Sequence, residues 1–148
     1  MKLRCIATPD RFTEDARAEV HRLDRILFSS DHEINGADCW WWTIEDKGEG
    51  IAFAGLRPCQ EASNAGLAYL IRAGVRRTHR GRGLQRQLIR ARIRMARKHG
   101  MAELVTYVMP FNIASANNLI SCGFKLYRPA QPQHWGGKAA LYFRKPLV

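Results

Sequence analysis

The chain has 148 residues, of which 46% are hydrophobic and 25% are charged, and its formal net charge is +11 at neutral pH. This length predicts a single domain over residues 1–148, and the composition excludes a disordered chain. The sequence has no run of about 18 apolar residues, and its start lacks the apolar segment of a secretory signal, so we expect a cytoplasmic protein without a membrane span.

The first half of the chain predicts a strand, a helix and a β-hairpin. We expect the strand over residues 3–7. The helix is expected to start at Pro9 and Asp10, because apolar residues then recur at helical spacing up to Leu27. The polar stretch 29–38 predicts a loop or a short helix. CWWWTIED and IAFAGLRP, joined by KGEG, have the pattern of a hairpin.

The second half predicts four strands and two helices. Gly100 and Gly123 are typical of residues that end helices. The element order β-α-β-β-β-α-β-α-β-β predicts an α/β fold, a single-domain mixed sheet with helices on both faces, and the long helical crossovers make part of the sheet parallel. The strands are expected at 65–75, 102–109, 124–129 and 139–147, and the helices at 84–98 and 112–122.

Basic residues are concentrated in one part of the chain. Twelve of the thirteen acidic residues lie at or before Glu61, whereas residues 72–98 contain eleven arginines and lysines and no acid. Such a block attracts phosphate groups on nucleic acid, membrane lipid or a small cofactor. One half of helix 84–98 is apolar, which is typical of a helix packed on a sheet. Its opposite face is either solvated or binds an anion, and carries Arg86, Arg90, Arg94 and Arg97.

A glycine turn, RGRG, separates the strand 65–75 from the basic helix. Gly81 and Gly83 permit backbone conformations and close approaches that side chains would block. The start of the helix then offers unpaired N–H groups and the positive end of the helix dipole, which suits a pyrophosphate. A P-loop needs Gly-Lys-Ser/Thr, which is absent, and a Rossmann turn needs a third glycine where this chain has Arg86.

This turn and a second motif resemble those of one enzyme family. Arg80 to Gln85 (RGRGLQ) resembles the Arg/Gln-x-x-Gly-x-Gly/Ala motif of the GCN5-related N-acetyltransferases, the GNAT family. Val75 matches the apolar residue that ends the preceding strand in that family. NIASANNLISCGF, residues 112–124, resembles its Asn-x-x-Ala/Ser…Gly-Phe segment at the usual spacing. The element order also matches, so the resemblance spans nearly the whole chain.

The resemblance implies a fold, an activity and a set of binding residues. The sheet would be splayed between its fourth and fifth strands, and acetyl-coenzyme A (acetyl-CoA) would lie in the split. The acetyl group would pass by direct attack to a primary amine of a small molecule or a protein, without a metal. The cofactor would be held by the strand end, the turn and the second motif: Gly74, Val75, Arg76, Arg80, Gly81, Arg82, Gly83, Leu84, Gln85, Arg86, Asn112 and Ser115.

Two positions depart from the family pattern. The last glycine or alanine of the turn motif is Gln85, whose side chain fits if it points away from the phosphate. The tyrosine that usually acts as general acid corresponds to Leu119, and leucine cannot donate a proton. We therefore expect Tyr107, on the strand facing the split, or water to supply the proton. The alternative is that Tyr107 is only a half-buried strand aromatic.

The sequence offers several candidates for the general base. In this family the loop after the first helix often lines the substrate side, and here it supplies Asp31, His32 and Glu33. Asp31 could attract a cationic amine, and His32 or Glu33 could accept its proton, unless the loop is only solvated. Glu61 and Glu103 are further carboxylate candidates.

Tryptophans are the other candidates for contact with substrate. On a strand, Trp40 and Trp42 face one side and Trp41 the other, and we expect them to pack in the core, with substrate lining as the alternative. Trp135 lies in the loop before the last strand, where the family often closes over substrate. His79 is expected on the surface. The four cysteines are scattered without metal-ligand spacing, so we expect reduced, mostly buried thiols.

Three other hypotheses remain compatible with the sequence. A nucleic-acid-binding module would use the basic face of residues 72–98. A coenzyme A-binding protein without catalysis would account for Leu119. An acetyltransferase could also use its basic face to recruit an acidic macromolecule that carries the amine. Homodimers are common in the family that the chain resembles.

Overall fold

The computed structural model describes residues 1–28, 35–130 and 136–148, in which the elements follow the predicted order. The strands are β1 (Lys2–Ala7), β2 (Trp40–Asp46), β3 (Glu49–Pro58), β4 (Leu67–Val75), β5 (Glu103–Val108), β6 (Lys125–Tyr127) and β7 (Leu141–Pro146). The helices are α1 (Glu14–Phe28), α2 (Leu84–Lys98) and α3 (Ile113–Ser121), with single 3₁₀ turns at Ala62–Asn64 and Arg77–His79. Within the described ranges, each helix is too short or too polar to cross a bilayer.

The first helix begins later than the predicted start at Pro9, so that prediction was wrong. Residues 8–11 instead form a tight turn closed by two backbone hydrogen bonds of 3.0 Å. The helix starts at Glu14, directly after Thr13, whose Oγ1 accepts the backbone N–H of Ala16 at 3.2 Å. This side-chain cap, with acidic residues at the positive end of the helix dipole, outweighs the preference of proline for helix starts.

The seven strands form one mixed sheet in the order β1-β2-β3-β4-β5-β7-β6. β4 and β5 run parallel and pair only between residues 67–69 and residues 103–105. The Oγ1 of Thr106 then donates to the carbonyl of Leu70 at 3.0 Å, and no further ladder pairs join the described parts of the two strands. The sheet is therefore splayed between its fourth and fifth strands, as predicted.

β4 contains a bulge at the level where it separates from β5. Between two ladder positions shared with β3, β4 carries one residue more than β3 does. Arg72 lies in this bulge with a φ of 36°, a value that non-glycine residues rarely adopt. Its Nε lies 3.3 Å from Oδ1 of the buried Asp24 on α1, and its guanidinium lies over the ring of Phe28. Contacts with α1 thus hold the bulge in place.

The sheet separates two hydrophobic clusters. α2 and α3 cover one face, where Leu88, Leu104 and Phe143 are completely buried. α1 covers the opposite face, where Val20 and Phe53 are completely buried. The helices therefore lie on both faces of the sheet, as the element order predicted.

The three tryptophans of β2 follow the alternation of the strand. Trp40 and Trp42 belong to the cluster under α2 and Trp41 to the cluster under α1. The exposed fractions of Trp40, Trp42 and Trp41 are 7%, 4% and 0%, which confirms core packing, and Trp41 also borders a cavity at the point where β4 and β5 separate. The ring of Trp41 stacks on Phe53 at 5.9 Å, and its Nε1 donates to the carbonyl of Gly36 at 2.9 Å.

The four cysteines are all free thiols, as predicted. The expectation that most of them are buried was wrong, because Cys39 is buried, Cys59 and Cys122 are half-buried, and Cys5 is exposed. Cys5 lies on β1, an edge strand of the sheet, where side chains are less covered.

Candidate active site

The glycine turn before α2 has the conformation that glycine favours. Gly81 and Gly83 have φ values of 78° and 76°, in the left-handed region. Among the described residues, a Cβ at Gly81 would meet no atom within 4 Å, and one at Gly83 would meet only Arg86 Nη2, at 3.8 Å. Gly83 is the N-cap of α2 and offers no side-chain acceptor to its first N–H groups. Open space therefore adjoins a helix start that can bind an anion.

A cleft of about 630 Å³ lies beside this turn, between the end of β4 and the start of α3. Its described lining includes Arg80 and Arg86 and no acidic residue, so it suits a negatively charged ligand. Two of the twelve residues predicted to bind cofactor, Arg76 and Arg82, are not part of the lining. The other ten line it: Gly74, Val75, Arg80, Gly81, Gly83, Leu84, Gln85, Arg86, Asn112 and Ser115.

The end of β4 presents only some of its backbone groups to the cleft. The N–H of Arg76 donates to the carbonyl of Ile51 on β3 at 2.7 Å, so it is used within the sheet. Because backbone groups alternate in direction along a strand, those of Val75 point away from β3. The carbonyl of Val75 accepts a hydrogen bond of 3.1 Å from Nε of Arg80, which ties the turn to the strand.

Gln85 points toward α3 and away from the glycine turn. Its Nε2 donates to Oγ of Ser115 at 2.9 Å, and its Oε1 accepts from Nδ2 of Asn118 at 2.7 Å. Asn112 caps α3 through its Oδ1, which accepts the backbone N–H of Ser115 at 3.3 Å. The departure of Gln85 from the family motif therefore creates a polar link between the two helices. Asn118 was absent from the predicted site.

A second cavity of about 760 Å³ lies where β4 and β5 diverge, and it shares Gln85, Asn112 and Ser115 with the cleft. Tyr107 lines it from β5, is 42% exposed, and has its ring centroid 6.1 Å from that of Tyr142. Leu119, at the position of the usual tyrosine acid, lines the same cavity and is buried. The cleft and the second cavity are therefore two adjacent chambers that share part of their lining.

Tyr69 is the other tyrosine that lines this cavity. Burial, followed by its hydrogen bond with Cys59, raises the pKa of Tyr69 to about 12. A phenol with so high a pKa is a weaker acid than an ordinary tyrosine. Tyr69 is thus a poor proton donor compared with a solvent-accessible tyrosine.

Carboxylates are missing from the described lining of both chambers. Glu61 and Glu103, considered as bases from the sequence, line neither of them. The other predicted base and substrate residues lie outside the described residues: Asp31, His32, Glu33 and Trp135.

His79 lies at the surface, where it is partly exposed and takes part in two hydrogen bonds. Its Nε2 lies 2.9 Å from Oδ2 of Asp46 at the end of β2, and its Nδ1 lies 2.8 Å from Oγ1 of Thr78. The hydrogen bond with His79 lowers the pKa of Asp46. This pair anchors the segment before the glycine turn to the β2–β3 hairpin.

Arg92 of α2 is the main residue of this region that the sequence prediction missed. Its exposed fraction is 2%, and it lines the second cavity. A helical wheel contained the signal, because Arg92 lies within the apolar arc formed by Leu88, Ile89 and Ala96, away from the exposed arginines. A charged residue at the centre of such an apolar arc indicates either a buried ion-pair partner or a functional site.

Comparison with known proteins identifies this arrangement. The model of the acetyltransferase (GNAT) family matches residues 3–124, which is most of the chain. The chain belongs to the GNAT family. It is therefore an acyl-CoA-dependent acetyltransferase. No curated protein matches the sequence closely.

Solved structures with the same fold cover this GNAT chain almost completely. A Salmonella typhimurium protein described as an acetyltransferase and solved with its cofactor acetyl-CoA has a TM-score of 0.75 at 17% identity, covering 100% of this chain and 94% of its own. The ribosomal-protein-S18-alanine N-acetyltransferase from Escherichia coli has a TM-score of 0.71 at 18% identity, covering 99% and 95%. A GNAT acetyltransferase from Staphylococcus aureus has a TM-score of 0.72 at 11% identity, covering 99% and 100%. These similarities concern the fold.

Proposed function

We propose that the protein transfers an acetyl group from acetyl-CoA to the nitrogen of a primary amine by direct attack. The observation that carries this proposal is the glycine turn, whose two left-handed glycines leave open space before an uncapped helix start. That cradle fits a pyrophosphate, which helix N–H groups bind through hydrogen bonds and the helix dipole. The flanking cations Arg80 and Arg86 add to the attraction.

The remaining cofactor contacts follow from the same cleft. The backbone of Val75 faces the splay, so its N–H group is a donor available to the pantetheine arm or to the thioester oxygen. Asn112 and Ser115 line both chambers, and the hydroxyl of Ser115 accepts a hydrogen bond from Gln85, which also lines both. Bound acetyl-CoA supplies an activated acyl carbon and a thiolate leaving group. Since Arg76 uses its N–H within the sheet, we assign it no backbone contact with the cofactor.

Tyr107 is the proton donor in this proposal. It lines the splay and remains partly exposed, whereas Tyr69 is a weaker acid and Leu119 has no proton to donate. Residues alternate along β5, so Tyr107 faces the α1 side of the sheet, opposite the buried Leu104. The amine would approach from that α1 side, and Glu33, or His32, in the loop after α1 would accept its proton. Asp31 and Trp135 remain proposed substrate contacts.

Binding of acetyl-CoA measured by isothermal titration calorimetry is the primary test. We expect saturable binding with one site per chain, followed by thiol release when a panel of primary amines is offered. Failure of acetyl-CoA to bind would refute the proposed function. Binding without thiol release from any amine would instead support the alternative of a non-catalytic coenzyme A-binding protein.

The nucleic-acid alternative rests on the exposed arginines of α2. Arg90, Arg94 and Arg97 are solvent-exposed, whereas the apolar half of the helix is packed on the sheet. The alternative explains their charge but not the glycine turn or the cleft. We assign no separate function to this face.

The cellular location that we propose is the cytoplasm. The four free thiols support this proposal, because reduced cysteines are typical of cytoplasmic proteins.

A further inference from the structure

Arg92 carries a buried positive charge that no carboxylate among the described residues neutralises. Its Nε donates to the carbonyl of Leu88 at 3.1 Å, and its Nη1 donates to the carbonyl of Gly55 at 3.3 Å. No carboxylate of the described residues lies within ion-pair distance of its guanidinium. Burial lowers the pKa of Arg92 to about 9, so the group remains protonated at neutral pH. A buried cation of this kind is costly unless an anion approaches it.

The two hydrogen bonds explain the position of Arg92 but leave donors available. A guanidinium has five N–H groups in a planar fork that matches a carboxylate. The carbonyls of Leu88 and Gly55 engage only Nε and Nη1. Gly55 pairs with Ile71, the residue directly before the bulge at Arg72, so the guanidinium lies at the level where β4 leaves β5. Arg92 thus lines the cavity at the depth of the splay.

The cavity connects Arg92 with the cofactor cleft along one side of α2. Gln85, Ile89 and Arg92 recur at helical spacing and all line the cavity, and Gln85 also lines the cleft at the start of the helix. Arg92 therefore lies about 10 Å further along the helix axis than Gln85. A chain that enters from the cleft past Gln85 meets the apolar Ile89 first and the guanidinium next.

In the proposed function the amine approaches from the face of the sheet that α1 covers, opposite the face that carries Arg92. Ile71 packs against the cluster under α1, and alternation along β4 places Tyr69 on that same face. Arg92, by contrast, extends from α2 on the face that holds Leu88 and Leu104. This placement favours contact between Arg92 and the acyl group of the coenzyme A thioester over contact with the amine.

We propose that Arg92 selects acyl-CoA donors whose acyl chain ends in a carboxylate, such as a four-carbon dicarboxylic acyl group. This inference rests on the proposed function, since it assigns a further donor class to the same cofactor site. In the transfer, the amine nitrogen forms a bond to the thioester carbonyl carbon, and the carbon–sulfur bond breaks. The nitrogen loses one proton to the general base and the released thiolate gains one from the general acid, so the products are free coenzyme A and an amide with a free carboxylate. A charge-assisted hydrogen bond to Arg92 would hold that carboxylate throughout.

Succinyl-CoA and butyryl-CoA test the proposal, because they share a four-carbon acyl chain and differ in the terminal carboxylate. By calorimetry, we expect the wild-type protein to bind succinyl-CoA at least about tenfold more tightly than butyryl-CoA. The Arg92→Met variant should lose this preference, and Arg92→Lys should keep part of it. Arg90→Met removes an exposed arginine from the same helix and should leave the preference unchanged.

Acetyl-CoA separates failure of this inference from failure of the proposed function. Binding of acetyl-CoA together with equal wild-type affinities for succinyl-CoA and butyryl-CoA would overturn the role of Arg92 alone. A preference that survives in a folded Arg92→Met protein would overturn it too. If circular dichroism shows that Arg92→Met does not fold, the ratio of the affinities for succinyl-CoA and butyryl-CoA in the wild-type protein and in Arg92→Lys still tests the proposal. If none of the three thioesters binds, both proposals are refuted.

Discussion

Gly83→Glu should separate the binding role of the glycine turn from its effect on folding. The substituted residue would have to adopt a φ of 76°, which costs roughly 1–2 kcal/mol for a side chain in the left-handed region. A carboxylate about 5 Å from a phosphate charge adds about 3 kcal/mol of repulsion at an effective dielectric constant of about 20. That repulsion corresponds to roughly a hundredfold loss of acetyl-CoA affinity. Pairing with Arg86, whose Nη2 lies 3.8 Å from the Cβ position, would offset part of it. We therefore expect a loss between about tenfold and a hundredfold.

Gly100→Glu is the matched control for this substitution. Gly100 follows the other end of α2, has a φ of 71°, and a Cβ there would meet no described atom within 4 Å. Both variants should therefore lose similar stability, with a fall in Tm of about 2–4 °C for each kcal/mol in a domain of this size. Calorimetry with acetyl-CoA should show weaker binding for Gly83→Glu only. Affinities within twofold of each other for the two variants would refute the assignment of the pyrophosphate site.

Tyr107→Phe should lower kcat by about a hundredfold while leaving acetyl-CoA affinity unchanged, as general acids typically contribute on this scale. Tyr127→Phe on β6 is the control, and an unchanged kcat for Tyr107→Phe would exclude Tyr107 as the acid. Gln85→Ala removes two hydrogen bonds to α3 and should destabilise the fold by about 1–3 kcal/mol in urea unfolding; full stability would show that the link between the helices contributes nothing. His79 lowers the pKa of Asp46 in the folded protein. The pair should therefore stabilise the fold fully at pH values above about 4, the ordinary carboxylate pKa, and this stabilisation should be lost as the pH falls through the lowered pKa of Asp46. The free energy of unfolding, measured between pH 2 and pH 6, should accordingly fall less steeply with decreasing pH for Asp46→Asn than for the wild-type protein. The same pH dependence in both proteins would contradict a contribution from this pair.

Local patterns predicted α2 to the residue and failed at the start of α1. For α2, a 15-residue amphipathic pattern lies between Gly83 and Gly100, and Gly100 has the positive φ that is typical of the residue after a helix. For α1, two start signals, Pro9 and Thr13, compete four residues apart. The side-chain cap at Thr13 outweighs Pro9, and the sequence contains no measure of their relative strength.

The cleft beside the glycine turn, where we propose that the cofactor binds, could be predicted because its parts are local in the chain. A glycine turn, the strand before it and the helix after it are consecutive, so their backbone groups meet wherever the sheet places them. Most of the predicted cofactor residues accordingly line one cleft. The residues proposed as general acid and general base are far apart in the chain, and for these roles the sequence only offered several candidates.

The tertiary structure alone decided which distant groups meet. Gln85 bonds to Ser115, 30 residues away, and Arg92 bonds to the carbonyl of Gly55, 37 residues away. Both contacts depend on how α2 packs on α3 and on the register shift between β3 and β4. Hydrophobic periodicity by itself determined the elements and their buried faces. It carries no information on register or on which carbonyl a bulge exposes, because those follow from packing across the whole sheet.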